Sequence, residues 1–145
     1  NEIKQKIRVQ AEKYEEINYQ KKYAGKWKED LSFMNLNFKK PFLTEAPALI
    51  VVFKQRYSII NNEINKNYYI SESSGIALGM LITAIHNAGL VTIPYTPLPR
   101  AFINDILNRP KSESALMILP IGYPKENAKV PKKTYKSLKD IMKVY

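Results

Sequence analysis

The chain contains no cysteine. Disulfide staples, thiolate zinc sites, iron–sulfur clusters and a cysteine nucleophile are excluded together, and the redox state of the compartment is left unreadable. Histidine is almost as scarce, with His86 the single example. Multi-histidine metal centres fall, and a Ser-His arrangement would have one base to draw on. Long apolar runs are missing too. The longest, Gly75 to Val91, is interrupted by Thr83, His86 and Asn87 and falls short of the roughly 20 apolar residues a spanning helix needs. It predicts a buried helix, and nothing in this chain is expected to cross a membrane.

What is present describes a globular domain. The 145 residues are 45% apolar and 25% charged, and the net charge is +10, which suits one domain with a core of its own. Asn1 is not a natural start residue and no signal peptide opens the chain, so the sequence is expected to begin inside a longer protein. The positive excess is densest in Lys125–Tyr145, where seven lysines face two acids, and lysine outnumbers arginine 19 to 4. No zinc finger, RNP-like aromatic motif or arginine cluster accompanies that charge, so residues 125–145 read as a solvated basic tail and not as a nucleic-acid surface.

Hydrophobic patterning predicts an α+β fold. Residues 2–31 read as helical, with one apolar edge at Ile3, Ile7 and Val9 and a second at Ile17, Tyr19, Tyr23 and Trp27, and with a break at Gly25. Pro41 and Pro47 frame a loop. Ala48–Phe53 and Ala115–Gly122 are strongly apolar strands, the first expected to be buried on both faces. Asn61-Asn62 marks a turn, and an extended piece is expected to begin at Asn67–Ile70. Ser71 is placed to cap a helix running to Asn87, with Gly89 suited to its left-handed C-terminal position. That helix is apolar nearly all round and is expected at the centre of the fold, with His86 a core or interface histidine. Its Gly75/Gly79 spacing favours close packing, as across a subunit interface. Leu90–Ile93 is a short strand, Arg100–Leu107 a helix stopped by Asn108-Arg-Pro110, and Ser137 with Asp140 a capping box for a last helix to about Val144.

Conventional catalytic signatures are missing: no GxGxxG, GxxxxGK[ST], GxSxG or HExxH occurs. An enzyme built on this chain would need a cofactor to supply the difficult chemistry. Four stretches carry a resemblance that bears on this. They are Glu15-Glu-Ile-Asn-Tyr19 with Trp27 following, and Phe53-Lys-Gln55 after an apolar strand. Next is His86-Asn-Ala-Gly-Leu-Val-Thr92 leading into Thr96-Pro-Leu98. The last is Asn108-Arg-Pro110 leading to Leu119–Pro124 and Val130-Pro131. In order and spacing the chain resembles the iodotyrosine deiodinase branch of the nitroreductase superfamily, over the later part of that family's catalytic domain. The first part of the family domain is not represented, so residues 1–145 are expected to form a single, partial nitroreductase-like domain.

The resemblance implies a nitroreductase-like fold with a mixed or antiparallel sheet, assembled as a domain-swapped homodimer with FMN at two interface sites. It further implies reductive dehalogenation of halogenated tyrosine, with NADPH as the electron source. Glu15, Tyr19 and Lys40 match the family's substrate-binding residues. Thr96 matches a threonine beside the flavin N5 that steers one-electron steps, and the backbone of Pro94 and Tyr95 would run along the flavin ring. Independently of the family, Glu15 and Tyr19 share a helix face at i, i+4. A carboxylate for an ammonium, a lysine for a carboxylate and a phenol for a hydrogen bond together suit an amino-acid zwitterion. A surface glutamate, a half-buried tyrosine and a solvated lysine would account for the same residues without a ligand.

Two departures from the family pattern stand out. Pro94 replaces a threonine, and Tyr135 replaces an arginine that reaches the FMN phosphate, leaving Lys133 or Lys136 as point charges without an arginine's fork. The alternatives to a deiodinase are therefore a nitroreductase acting on another aromatic compound, or a flavin-less nitroreductase-like subunit with a structural or binding role. Family members include cytoplasmic and membrane-anchored proteins, so any anchor would lie outside this chain.

Overall fold

Two long apolar strands form the frame. In the computed structural model, which describes all residues except 22–24, 35, 131 and 133 and the side chains of Trp27 and Lys28, β1 (Ala48–Gln55) pairs antiparallel with β5 (Glu113–Gly122). Of the sequence expectations, Tyr23, Pro131, Lys133 and the Trp27 side chain lie outside the described residues. Leu49, Val51 and Phe53 face one core cluster while Ile50 and Val52 face another, so both faces of β1 meet a core as expected, but its residues are half-buried and not buried. Its end residues Ala48 and Gln55 are exposed.

A bulge adjusts β5 to the same two layers. Val52 lies opposite Met117 and Phe53 opposite Ala115, leaving Leu116 as the extra residue. The inserted residue resets the alternation: Ala115 and Ile118 reach the first cluster, while Leu116, Met117 and Leu119 reach the second. The third strand, β4 (Val91–Thr92), lies on the other edge of β5, opposite Ile121 and Gly122. Every described strand pairing is antiparallel, so the mixed component allowed by the sequence reading is not seen.

The first layer is α1 (Glu2–Lys21) with α5 (Ala101–Ile106). Its buried stripe is Ile7, Ala11, Glu15 and Asn18, a spacing that keeps one side of a helix toward the core. This corrects the expected apolar edges: Ile3, Val9 and Ile17 are exposed. The periodicity misleads because the second half of the true stripe is polar, and polar side chains can be buried only where partners satisfy them. Gly25, at φ +63°, separates α1 from α2 (Lys26–Asp30) as expected. The loop expected between Pro41 and Pro47 contains a single helical turn, α3 (Phe42–Glu45). Three polar residues of α1 dock that turn. Lys4 Nζ donates to the Thr44 and Ala46 carbonyls at 3.1 and 2.6 Å, Arg8 donates to Thr44 Oγ1 at 2.7 Å, and Glu12 accepts from the Lys40 N–H at 2.8 Å.

The second layer is α4 (Ile70–Asn87). The chain enters it through Tyr69, at φ +54°, which occupies the N-cap position. Ser71 is thus inside the first turn and not the cap, and Asn67–Tyr69 bends instead of extending. At the other end Gly89 takes φ +74° and donates to His86 O at 3.0 Å, while Leu90 N–H reaches Ile85 O. Only Leu78 and Ile85 of this helix are buried. The central position expected for it, and a core environment for His86, are not found in the single chain: three strands offer one face, and the opposite side of α4, with Ile76 and Met80, is exposed. β2 (Tyr57–Ile60) and β3 (Glu63–Lys66) form a separate hairpin, turned through Asn61 and Asn62 at φ +51° and +64°, the geometry a two-residue turn of this hand requires. The capping box at Ser137 and Asp140 opens α6 (Leu138–Ile141) as the spacing predicts.

One tight approach locks the loop before β1 against the end of β5. A Cβ placed on Gly122 would lie 2.9 Å from Pro47 Cδ, and a ring carbon next to backbone cannot move aside alone. Gly122→Ala is expected to cost about 1–3 kcal/mol through overpacking, read as a lowered midpoint in thermal unfolding. A midpoint equal to that of the unaltered protein would show that the Pro47 ring yields freely.

Candidate functional site

The polar half of the α1 stripe forms a buried charged cluster. Glu15 and Lys40 are 6% and 7% exposed, and Lys40 Nζ lies 3.7 Å from Glu15 Oε2. Three chain segments converge here. Glu15 comes from α1, and Lys40 comes from the stretch leading into α3. Tyr95, from the segment after β4, donates its phenol to Glu15 Oε1 at 3.1 Å. The two carboxylate oxygens are therefore divided between a phenol and an ammonium. Lys40 Nζ also lies 5.3 Å from the centre of the Tyr19 ring and 6.0 Å from that of Tyr95, within cation–π range of both. The same ammonium donates to the Asn37 carbonyl. Burial pushes the Lys40 pKa below the ordinary lysine value, and the facing Glu15 and Glu12 carboxylates offset only part of that.

The residues expected to grip a zwitterion are thus together, and in this arrangement they satisfy one another. The chemistry follows from the separation. At 3.7 Å the pair is an ion pair without a direct hydrogen bond, and each group keeps capacity for an opposite charge. An α-amino acid inserted here would give Glu15 an ammonium and Lys40 a carboxylate without leaving either buried charge unpaired.

The segment carrying Thr96 follows from a break in the sheet. Ile118 exchanges both backbone bonds with Tyr95 at 2.9 Å, so two residues on, Pro120 would present its nitrogen to the same edge and has no N–H to give. Opposite that gap the β4 chain presents Ile93, whose carbonyl would accept the missing bond. The ladder lapses there and is met again at the Tyr95–Ile118 bridge. Tyr95 then points inward, Thr96 outward and Pro97 inward, with Tyr95 and Pro97 buried and Pro94 and Thr96 exposed. The Tyr95 ring meets Phe42 edge-on at 5.4 Å. A second tie comes from α1, where Asn18 Nδ2 donates to the Leu98 carbonyl at 2.7 Å.

Tyr135 is 86% exposed and lies apart from this cluster in the segment leading to α6. Sequence reading missed two contributions: the inward side chain of Tyr95, valued only for its backbone, and Asn18. The second had a signal, since Asn18 is three residues beyond Glu15 and so on the same helix face. Among the described residues no group of three or more His, Asp or Glu side chains could hold a metal, and no helix is long and apolar enough to cross a membrane.

An α+β frame with one three-stranded antiparallel sheet between helical layers, and a charged cluster beneath an exposed threonine, places the chain in a family. The profile of the Nitroreductase family matches residues 2–123, and the chain belongs to that family. Within it, the chain is 45% identical over 145 residues to an iodotyrosine deiodinase of Haliscomenobacter hydrossis, covering 99% of this chain and 65% of that protein. It is 43% identical to an iodotyrosine deiodinase of Danio rerio, covering 97% of this chain and 48% of that protein. The chain thus spans about half to two thirds of the length of these relatives. A crystal structure of oxidized iodotyrosine deiodinase bound to FMN and 3-iodo-L-tyrosine superposes with a TM-score of 0.78 at 31% identity, over 94% of this chain and 69% of that one.

The cluster has a supporting residue whose effect is measurable. Burial pushes the Glu12 carboxyl up, but the Lys40 N–H, the Arg8 hydrogen bond and the charges of Arg8 and Lys39 outweigh it and hold the pKa below the ordinary glutamate value. A carboxyl depressed by folding contributes stability above its unfolded pKa and loses it as pH falls through the folded one. Glu12→Gln is therefore expected to lower stability at pH 7 by about 1–2 kcal/mol and to flatten the acid limb of a plot of unfolding midpoint against pH. A variant whose acid limb parallels that of the unaltered protein would contradict this.

Proposed function

We propose that this chain is the catalytic part of an FMN-dependent oxidoreductase that reductively removes halogen from halogenated tyrosine. The observation that carries the reading is the buried Glu15–Lys40 pair beside the Tyr19 ring, joined through the Tyr95 phenol to the residue before the exposed Thr96. The relatives' names and the FMN- and iodotyrosine-bound neighbour support the same substrate class.

The residues fit the ring end of FMN. Thr96 offers an outward hydroxyl on a backbone fixed on either side by the Tyr95–Ile118 bridge and the Asn18–Leu98 bond, and the exposed Pro94 adds a donor-free surface against which an aromatic ring can lie. The phosphate end is less well served, because Tyr135 offers no charge where the family pattern has an arginine; Lys136 is the nearest described cation in sequence. Reduced FMN, when bound, supplies the electrons that replace a carbon–halogen bond by carbon–hydrogen, and NADPH is the proposed source of those electrons. The chain's own residues bind and orient. Glu15 takes the substrate ammonium, Lys40 its carboxylate, and Tyr19 covers the cleft and offers a hydrogen bond. Thr96 holds a proton-bearing oxygen at the ring edge.

Homodimer formation belongs to the same proposal. The outward side of α4 exposes Ile76 and Met80 at 68% and 69%, and Cβ atoms built on Gly75 and Gly79 meet nothing within 4 Å. A smooth apolar helix face of this kind is suited to a second copy. A flavin-less binding subunit is the second reading, favoured by Tyr135 alone.

The full native protein should carry FMN in about stoichiometric amount, seen as its visible absorbance before and after heat release. Glu15→Gln should weaken 3-iodo-L-tyrosine binding by about 10- to 100-fold, as expected for loss of a hydrogen bond to a charged group, while FMN content stays unchanged. A colourless protein that takes up no added FMN would overturn the enzyme reading in favour of the binding subunit.

A further inference from the structure

We propose that Tyr95 and Asn18 are positioning residues that join the substrate-gripping helix to the Thr96 segment as one unit. The inference rests on the function proposed above and adds to it the groups that set the geometry of the site.

Two bonds from one face of α1 bracket Thr96. On one side the Tyr95 phenol donates to Glu15 Oε1 at 3.1 Å, and on the other Asn18 Nδ2 donates to Leu98 O at 2.7 Å. Both anchoring residues of α1 are 6% exposed, so Glu15 or Asn18 left without its partner would carry a desolvation cost. Between the anchors the chain has little freedom. Tyr95 is tied to Ile118 through its backbone in both directions and Pro97 is buried, which leaves the outward direction of Thr96 as a consequence of what holds its neighbours.

The Tyr95 bond does a second thing. By occupying Oε1 it fixes the rotation of the Glu15 carboxylate, so that Oε2 is the oxygen turned toward Lys40. An arriving ammonium therefore meets one defined oxygen. The Asn18 bond touches only the backbone at Leu98 and has no part in orienting Glu15. The two residues should consequently separate in their effects, which residues serving only the stability of the fold would not do.

The test uses the FMN-loaded full protein and two variants chosen to keep volume, Tyr95→Phe and Asn18→Leu. The dissociation constant of 3-iodo-L-tyrosine is measured calorimetrically on the oxidised protein, where no turnover occurs, and kcat is measured separately per bound FMN. Tyr95→Phe is expected to weaken binding about tenfold and lower kcat about tenfold. Asn18→Leu is expected to leave the dissociation constant within twofold while lowering kcat by a similar factor. Should one variant fail to fold, the other decides alone. Binding and kcat both within twofold of the unaltered protein overturn the proposal and leave the functional reading standing. Unaltered protein that holds FMN but does not bind 3-iodo-L-tyrosine overturns the functional reading, and this inference with it.

Discussion

A carboxylate and an ammonium taken out of water constrain this fold more than any apolar contact. Glu15 and Lys40 would each be prohibitively unstable alone in the interior. Their burial is possible only if α1, the stretch entering α3 and the segment after β4 arrive at one point in one arrangement. Apolar contacts tolerate sliding, since one methyl group is much like another. The two oxygens of Glu15 do not, because one must meet the Tyr95 phenol and the other the Lys40 ammonium. The pair contributes little to net stability once desolvation is counted, and its effect is to exclude alternative dockings of α1.

The rest of α1 serves that docking. Lys4, Arg8 and Glu12 follow one another at intervals of four residues and contact the segment from Lys40 to Ala46. Ile7 and Ala11 fix the helix to the sheet through the core beside them. The helix is apolar where it needs adhesion and polar where it needs register. Asn104 acts similarly within the same layer: its amide donates to Glu113 O and its carbonyl accepts from the Ala115 N–H, clipping α5 to the start of β5.

Those choices decide what a reader of the sequence could see. Both long strands, the Asn61-Asn62 turn, the Gly25 and Gly89 breaks and the Ser137 capping box were legible, because each depends on local chemistry that nothing distant overrides. Glu15, Tyr19 and Lys40 were legible as a trio through the family resemblance, and their meeting in space agrees with it. The buried face of α1 was not, since hydrophobic periodicity has no means of scoring a stripe that ends in Glu15 and Asn18. Ser71 was misplaced as a cap because Tyr69 adopts a left-handed backbone, uncommon for a bulky residue. The depth of α4 was overestimated because composition reports what a helix can bury, while the number of faces available to cover it is a property of the whole assembly.

The site's remaining feature, an exposed threonine beside a buried charge pair, depends on how the chain after β4 meets β5. Strand β5 is central in its sheet, where proline is normally excluded for want of a ladder donor. Pro120 falls opposite Ile93, just past the two residues of the short edge strand β4 that pair, so its missing N–H costs the sheet one edge bond. The register of β4 nevertheless holds, since Val91 opposite Gly122, Thr92 opposite Ile121 and Tyr95 opposite Ile118 fall on one line, and burial alternates along residues 94–97. The bond missing at Pro120 leaves Tyr95 as an isolated bridge to Ile118, with the Tyr95 side chain on the inner side at Glu15 and Thr96 on the exposed side. In-register alternation thus sets the exposed Thr96 next in the chain to Tyr95, whose phenol holds Glu15, so one short stretch of chain reaches both the buried charge pair and the surface.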